Sequence, residues 1–322
     1  MRLALHPVIK LVAQRIALGL LLLWAASVLI FVGTMVLPGD VAQSILGQSA
    51  TPETLANLRT EQGLDDPPLT RYLHWAGGVL QGDLGKALTN GEDIAEAMGK
   101  RLGNTLFLAF WAAVVSVPLA ILLGLIAVRY RNRWPDKVIS GISLAAIAVP
   151  EFLLGYIAVY FLAVRFRLLP SLASIYEGMS LGEQLYAISM PVLVLVMTVP
   201  GHMMRMTRAA ILNVKQSPYI ETAELKGLRP IWIIARHAFP NAIAPVVNVV
   251  MLNMAYLVVG VVVVEVVFVY PGMGQYLVDH VSKRDVPVVQ ACGLVFAAAY
   301  IGLNILADVI SILANPRLRH PK

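Results

Sequence analysis

The chain has 322 residues, of which 58% are hydrophobic and only 14% charged, and its net charge at pH 7 is +6. Soluble domains carry about 25% charged residues, so this composition excludes an ordinary soluble domain and indicates a membrane protein. Most basic residues flank apolar stretches and do not indicate nucleic-acid binding, and the single cysteine, Cys292, cannot form an intrachain disulfide.

Several stretches reach the length of about 20 mostly apolar residues that a helix needs to cross a bilayer. They are 16–37, 102–128, 138–164, 184–204, 238–264 and 286–307. The apolar run of the first is too long for a signal peptide, so it is interpreted as a membrane anchor. The sequence therefore predicts an all-α membrane protein with six transmembrane helices.

Basic residues are divided unevenly between the two sets of connecting segments. Segments 1–15, 129–137, 205–237 and 312–322 hold sixteen lysines and arginines and three acids, whereas the opposite segments hold nine basic and thirteen acidic residues. Lysine and arginine near span ends favour the cytoplasmic side. These four segments, and with them both termini, are predicted to be cytoplasmic.

Residues 38–101 are the longest stretch between two predicted spans and are predicted to be extracytoplasmic. Pro52 is typical of a helix start and Gly63 of a helix end, so residues 52–62 are predicted to be helical. Residues 69–80 mix aromatic residues with leucines and predict a second helix, lying against the membrane or the spans. The segment is too short for a core of its own and is interpreted as a cap over the outer mouth.

The cytoplasmic stretch ETAELKGLRPIWIIARHAFP, residues 221–240, separates two apolar spans. Ser217 and Pro218 predict the start of a short helix, Gly227 predicts its end in the left-handed conformation, and a second helix is expected to follow. Such a short helix is marginal alone in water and needs a surface to lie on. That surface is either the lipid headgroups or a partner protein.

The spacing of this stretch resembles the cytoplasmic EAA signature of binding-protein-dependent ABC permeases. In that signature, EAA is followed by three residues, a glycine, nine residues and I-x-L-P. Glu221, Ala223, Gly227 and Pro240 fall in register with it. The departures are Thr222 for the second alanine, His237 for the isoleucine and Phe239 for the leucine.

Other motifs are similar, in the same order, to those of the dipeptide, oligopeptide and nickel permease family. LPGD at 37–40 follows the first span, and ATPETLANLRTEQGLDDP at 50–67 and GDLG at 82–85 resemble the outer segment of that family. The C-terminal third is matched by VEVVFVYPGMGQY (264–276), RDVPVVQA (284–291) and NILADVISILANPRLR (304–319). The resemblance thus covers essentially the whole chain.

The resemblance implies a type I ABC importer permease in a bacterial inner membrane. It implies a heterodimer with a second, homologous permease subunit, two ATPase subunits at the cytoplasmic face and an extracytoplasmic substrate-binding protein. The implied segments are a tail with the first span (1–37), an extracytoplasmic helical segment (38–101), an ABC transmembrane type-1 domain (102–312) with a coupling loop (212–241), and a cytoplasmic tail (313–322).

The chain itself is not expected to bind ATP. It lacks the G-x-x-x-x-G-K-[ST] phosphate-binding motif, since Gly85-Lys86 is followed by Ala87 and no glycine precedes it at the required spacing. We therefore expect no cofactor, metal or catalytic residue in this subunit, with ATP and Mg bound by the ATPase subunits.

The resemblance assigns ATPase coupling to one group of residues, through which closure of the ATPases would move the spans. They are Glu221, Thr222, Ala223, Gly227, Leu228 and Pro240. The small residues at 223 and 227 would allow close backbone approach. Glu221 either pairs with a basic residue of the ATPase or caps its own helix.

Polar residues within the spans are candidates for the substrate path, because such groups are costly in a bilayer and usually face a cavity or a partner. The predicted path residues are Glu151, Asn248, Asn253 and Glu265. An acid among them would meet a substrate amine or a metal, and a structural pair with a neighbouring helix is the alternative. For Asp308 the structural interpretation is favoured, with Asn304 as a candidate partner.

Two other function classes fit less well. A secondary active transporter without an ATPase partner, the main alternative, usually has repeated halves, and none are visible in the sequence. An integral-membrane enzyme needs clustered catalytic groups, whereas the six histidines are scattered and lack metal-ligand spacing. The sequence leaves the substrate open among dipeptides, longer peptides, glutathione, nickel chelates and related conjugates.

Overall fold

The described part of the computed structural model is almost entirely helical. It comprises residues 7–36, 42–43, 50–61 and 63–314. Among these residues, the only β-type pairing is an isolated antiparallel bridge between Lys86 and Asp93. The LPGD sequence at 37–40 and most of the predicted tail at 313–322 lie outside the described residues.

The first three helices are one long apolar helix and two shorter helices within the segment 38–101. They are α1 (Pro7–Val36), α2 (Pro52–Glu61) and α3 (Pro68–Leu80). Helices α2 and α3 confirm the two helices predicted for the outer segment. Phe31 of α1 packs on Tyr72 and Trp75 of α3, with ring centroids 5.4 and 6.0 Å apart. Helix α3 therefore lies against the first apolar helix.

The middle of the chain contains two bent helix pairs. Its helices are α4 (Ile94–Arg129), α5 (Trp134–Ala148), α6 (Glu151–Ala158, continuing as a π-helix over Val159–Arg165), α7 (Leu181–Ala187) and α8 (Ser189–Lys215). The chain bends by 99° between α5 and α6 and by 56° between α7 and α8. Val149 is extended (ψ 128°), as expected before a proline. The stretch predicted as one span at 138–164 is thus a broken helix.

The last part of the chain contains three short helices and two long ones. They are α9 (Pro218–Leu225), α10 (Pro230–Trp232, continuing as a π-helix over Ile233–Ala238), α11 (Phe239–Val267), α12 (Met273–Ser282) and α13 (Val286–Ala314). An Arg15–Asp308 ion pair of 3.1 Å joins α1 to α13. Asp308 thus takes part in a structural pair, as the sequence favoured, but its partner is Arg15. The Asn304 amide, the candidate partner, instead donates to the Tyr300 carbonyl.

Helix α8 lies at the centre of the packing and contacts α4, α5 and α11. Glycines allow two of these approaches. A methyl group at Gly201 would lie 2.9 Å from the Ser143 carbonyl oxygen of α5, and one at Gly124 would lie 3.0 Å from the Thr207 side chain of α8. Helices α4, α5 and α8 therefore pack with their backbones close together.

Four helical stretches of the described chain are long and apolar enough to cross a membrane, and the two bent pairs raise the number to six if each counts as one span. The four are Ile9–Val36, Ile94–Arg129, Pro230–Val258 and Val286–Ile310. By length and composition the protein is therefore a multi-pass helical membrane protein with four to six candidate spans.

Candidate coupling surface and transport cavity

The predicted helix, glycine elbow and second helix are present at residues 218–238. Ser217 occupies the position before α9 with extended backbone (φ −77°, ψ 142°) and Pro218 begins the helix, although the Ser217 hydroxyl makes no capping hydrogen bond. Gly227 follows the helix with a φ of +73°. Its N–H donates to the Glu224 carbonyl at 2.9 Å, and the Leu228 N–H donates to that of Ala223 at 3.3 Å. Glycine is favoured here because side chains oppose a positive φ.

The inner face of α9 is held by the rest of the chain. Ile220 and Ala223 are 0% and 7% exposed and belong to an apolar cluster with Ile211 of α8 and Ile233 and Ile234 of the π-helical segment. An ion pair of 3.4 Å between Lys215 and Glu224 adds a second attachment. Ala223 therefore faces its own chain, and packing within the chain explains the need for a small side chain there.

The opposite face of α9 and the following elbow are exposed. Tyr219, Leu225 and Leu228 are 45%, 82% and 42% exposed. Thr222 is exposed, and its hydroxyl donates to the Pro218 carbonyl at 3.0 Å. Glu221 is also exposed, and within the described residues its carboxylate has no hydrogen bond or ion pair. We call Tyr219, Glu221, Thr222, Leu225 and Leu228 the α9 outer surface.

Pro240 lies away from this surface, in the first turn of α11. A proline is tolerated there because the first N–H groups of a helix have no partner within the helix. The α10 π-helix runs directly into α11, so Pro240 lies where the short helices α9 and α10 join a long apolar helix. Pro240 is itself exposed at this junction.

The sequence did not predict a clamp next to this region, between α5 and α8. The Arg208 Nε and Nη2 atoms each donate to the Asp136 carboxylate at 2.8 Å. Asp136 is 4% exposed and also accepts from the Asn132 N–H at 2.9 Å. In the sequence, Asp136 is recognisable only as an acid that follows Pro135 in the first turn of a helix. That pattern does not identify Arg208, 72 residues away, as its partner.

The bend between α5 and α6 opens a cavity of about 500 Å³ lined by α5, α6, α8 and α11. Its polar lining residues are Glu151, Thr198, His202, Asn253 and Tyr256, and its apolar ones are Ala146, Ile147, Val149, Pro150, Val199 and Leu252. The Glu151 carboxyl lies beside the Thr198 hydroxyl and the Tyr256 phenol. The structure thus brings together two of the predicted path residues, Glu151 and Asn253, in one cavity.

Thr198, His202 and Tyr256 were not predicted as cavity residues. Their spacing shows that they share helix faces with one another. Thr198 and His202 are four residues apart on α8, and Asn253 and Tyr256 are three apart on α11. Which faces of α8 and α11 meet Glu151 depends on the bend at Pro150. The direction of that bend cannot be obtained from spacing within a helix.

Glu265 and Asn248, the other two predicted path residues, do not line this cavity. Glu265 is 0% exposed; its carboxylate accepts from the Thr105 hydroxyl at 2.7 Å and from the Gly274 N–H at 2.6 Å. The Thr105 oxygen in turn accepts from the Met273 N–H at 2.8 Å. The Glu265 carboxylate therefore joins α4, α11 and the start of α12. Asn248 is half-buried on α11.

No metal centre is evident in this arrangement. Among the described residues, no group of three or more His, Cys, Asp or Glu side chains could hold a metal ion. Catalysis in a membrane enzyme would need such a group or a comparable cluster of acids, bases and nucleophiles. The features that stand out are an exposed short helix at one end of the bundle and a cavity within it.

Comparisons with known proteins cover almost the whole chain. Residues 116–320 match the family described as "Binding-protein-dependent transport system inner membrane component", and residues 8–109 match its N-terminal companion. A glutathione transport system permease protein of Escherichia coli K12 is 34% identical over 298 residues, which is 92% of this chain and 95% of the relative. A protein of Brucella abortus named as a peptide transport system permease is 32% identical over 311 residues, 96% of this chain and 99% of the relative.

Proposed function

Because this chain belongs to the binding-protein-dependent transport system inner membrane components and is the permease subunit of an ABC importer, we propose that α9 couples it to ATP hydrolysis and that the Glu151 cavity forms part of its half of the substrate path. The subunit is not itself an enzyme, and an import system of this kind includes ATPase and substrate-binding partners. One observation carries the coupling proposal. The short helix α9 is anchored by its own chain on one face and exposed on the other.

The proposed coupling surface is the exposed face of α9 together with the elbow. Glu221, Thr222 and Leu228 face outward and would contact the ATPase, with the free Glu221 carboxylate available to a basic partner residue. The other three candidate residues would act through packing and backbone direction. Ala223 seats the helix on α8, Gly227 forms the exposed elbow, and Pro240 lies in the first turn of the long helix that leads to the cavity. ATP and Mg would be bound by the ATPase subunits, not by this chain.

The proposed assembly extends the family's general plan to this chain. It comprises a heterodimer with a homologous permease subunit, six spans with both termini cytoplasmic, and a path between the two subunits. Glu151 and Asn253 would line this chain's half of the path, with Asn248 as a further candidate. For Glu265 the structural alternative is favoured, because its carboxylate accepts hydrogen bonds from Thr105 and Gly274. The transported solutes would be di- or oligopeptides or a related small solute such as glutathione, the solutes named for the relatives.

ATPase activity of the reconstituted complex tests the coupling proposal. The chain would be purified with the products of neighbouring genes, and the ATPase rate measured in lipid with and without the binding protein, for wild type, Gly227→Pro and Gly227→Asn. Proline cannot adopt a φ of +73° and lacks the N–H that bonds Glu224, whereas asparagine tolerates a positive φ. We expect stimulation to be lost in the proline variant and retained in the asparagine variant, with both complexes assembled.

The alternatives give other results. If no ATPase subunit co-purifies, or if the assembled proline variant is stimulated like wild type, α9 is only a helix at the lipid interface. A secondary active transporter would take up its substrate without nucleotide, and no finding on this chain favours that function.

A further inference from the structure

The polar groups that face the Glu151 cavity are predominantly hydrogen-bond acceptors. An ionised carboxylate only accepts hydrogen bonds. The Thr198 hydroxyl contacts the main-chain carbonyls of Val194 and Leu195, both at 3.3 Å, and the Glu151 carboxyl, and the Tyr256 phenol also bonds to that carboxyl. The Asn253 amide donates to the Val249 carbonyl at 2.7 Å, which leaves its side-chain oxygen unused. The two hydroxyl protons are thus used within the chain, and the Glu151 and Asn253 oxygens keep acceptor positions open to a ligand.

The charge on the cavity wall has one sign. Glu151 is the only acid of the lining, and among the described residues no lysine or arginine lines the cavity. His202 in its neutral form offers one further acceptor nitrogen. A carboxylate ligand would thus meet an acid and several acceptors without a cationic partner. Binding of an anionic group here is unfavourable.

The Tyr256 ring adds an aromatic face to the same wall. The ring lies next to Gly260 of its own helix, where a methyl group would come within 3.3 Å of it. Its phenol lies beside the Glu151 carboxyl. A carboxylate next to an aromatic ring is an arrangement that attracts organic cations, through charge pairing and through the negative face of the ring.

We infer that this cavity binds the ammonium group of a small solute, with Glu151 as its counter-ion and the Tyr256, Thr198 and Asn253 oxygens as further acceptors. The inference rests on the proposed function of this cavity as part of the substrate path. An ammonium has three N–H donors and no acceptor, so it can neutralise the Glu151 charge and use the acceptor positions that remain open. The volume of about 500 Å³ lies within the usual range of small-molecule sites and suits a solute of a few residues.

Glu151 also has a structural interpretation, since it is the first residue of α6. An acid in the first turn of a helix offsets the positive end of the helix dipole. That role would require no ligand and would leave the cavity indifferent to the charge of a solute. A pair of probes of opposite charge on one backbone separates the two interpretations.

The test is direct binding to the nucleotide-free complex in lipid nanodiscs at pH 7, where the α-amino group of a peptide is mostly protonated, without the binding protein. The probes are trialanine amide, which has an ammonium and no carboxylate, and N-acetyl-trialanine, which has a carboxylate and no ammonium. Binding would be measured by saturation-transfer NMR and titration for wild type, Glu151→Gln and Glu177→Gln. Glu177 is an exposed acid outside the cavity, so its variant controls for the loss of one charge.

We expect wild type and Glu177→Gln to bind trialanine amide at least about tenfold more tightly than N-acetyl-trialanine, and Glu151→Gln to lose this preference. Equal binding of the two probes by wild type overturns the inference, as does absence of amide binding or an unchanged preference in Glu151→Gln. If Glu151→Gln fails to assemble, the two probes on wild type still decide. ATP-driven uptake by the same complex, measured separately, shows whether the proposed function itself has failed.

Discussion

Arg208 and Asp136 form a two-point ion pair, in which Nε and Nη2 of the guanidinium each lie 2.8 Å from a carboxylate oxygen. The pair joins α8 to the start of α5. Seven residues before Arg208, Gly201 touches α5 again at the Ser143 carbonyl. Helix α8 leads to α9, and α5 leads to Pro150 and the cavity. These two contacts therefore make α5 and α8 a continuous connection between the proposed coupling surface and the cavity.

Breaking the clamp is expected to destabilise the chain. Asp136→Asn leaves a partly buried guanidinium without its counter-charge, at a cost of about 2–3 kcal/mol in the free energy of unfolding. Arg208→Lys keeps the charge but loses the fork geometry, so its effect should be smaller. Thermal unfolding of the purified complex measures both. Asp308→Asn, which breaks the more exposed Arg15 pair, serves as the control and should cost about 0–1 kcal/mol. Equal losses for Asp136→Asn and Asp308→Asn would contradict the clamp.

A substitution series at Gly227 separates backbone conformation from contact. A methyl group at this position would meet nothing within 4 Å, so steric contact with neighbours costs nothing. The left-handed φ of +73° costs alanine about 1 kcal/mol and asparagine less. We therefore expect binding-protein-stimulated ATPase activity to fall in the order Gly, Asn, Ala and Pro at this position. An alanine variant as inactive as the proline variant would show that the ATPase contacts this glycine directly.

The helices were predictable from the sequence wherever the signal was local. Apolar length predicted the long helices, and Pro218, Gly227 and their spacing predicted α9 and its elbow, because start and stop residues act on their own turn. The bend at Pro150 was not predicted in size or direction, because a proline permits a bend and the packing of α8 and α11 sets its angle. The same packing decides that Asn253 lines the cavity while Asn248, on the same helix, does not.

The two faces of α9 should respond oppositely to substitution. Leu225 is 82% exposed, so Leu225→Asp should leave folding of the chain unchanged but weaken capture of the ATPase subunits, which would desolvate the new charge. Ala223 is 7% exposed within an apolar cluster, so Ala223→Leu should overpack it at a cost of about 1–3 kcal/mol. Co-purification and thermal unfolding measure the two effects. A Leu225→Asp complex with a full complement of ATPase would exclude this residue from the interface.

Glu265 is expected to act mainly on stability, because Thr105, Gly274 and Gln275 of the same chain all donate hydrogen bonds to its carboxylate. Glu265→Ala would leave the Gly274 and Gln275 N–H groups and the Thr105 hydroxyl without their acceptor, at about 1–3 kcal/mol for each group left unsatisfied. Glu265→Gln keeps one oxygen and should cost less. Neither change should alter the preference for trialanine amide over its N-acetylated counterpart, measured beside thermal unfolding on the same samples. If the Glu265→Gln complex were as stable as wild type and lost that preference, Glu265 would instead be a residue of the substrate path.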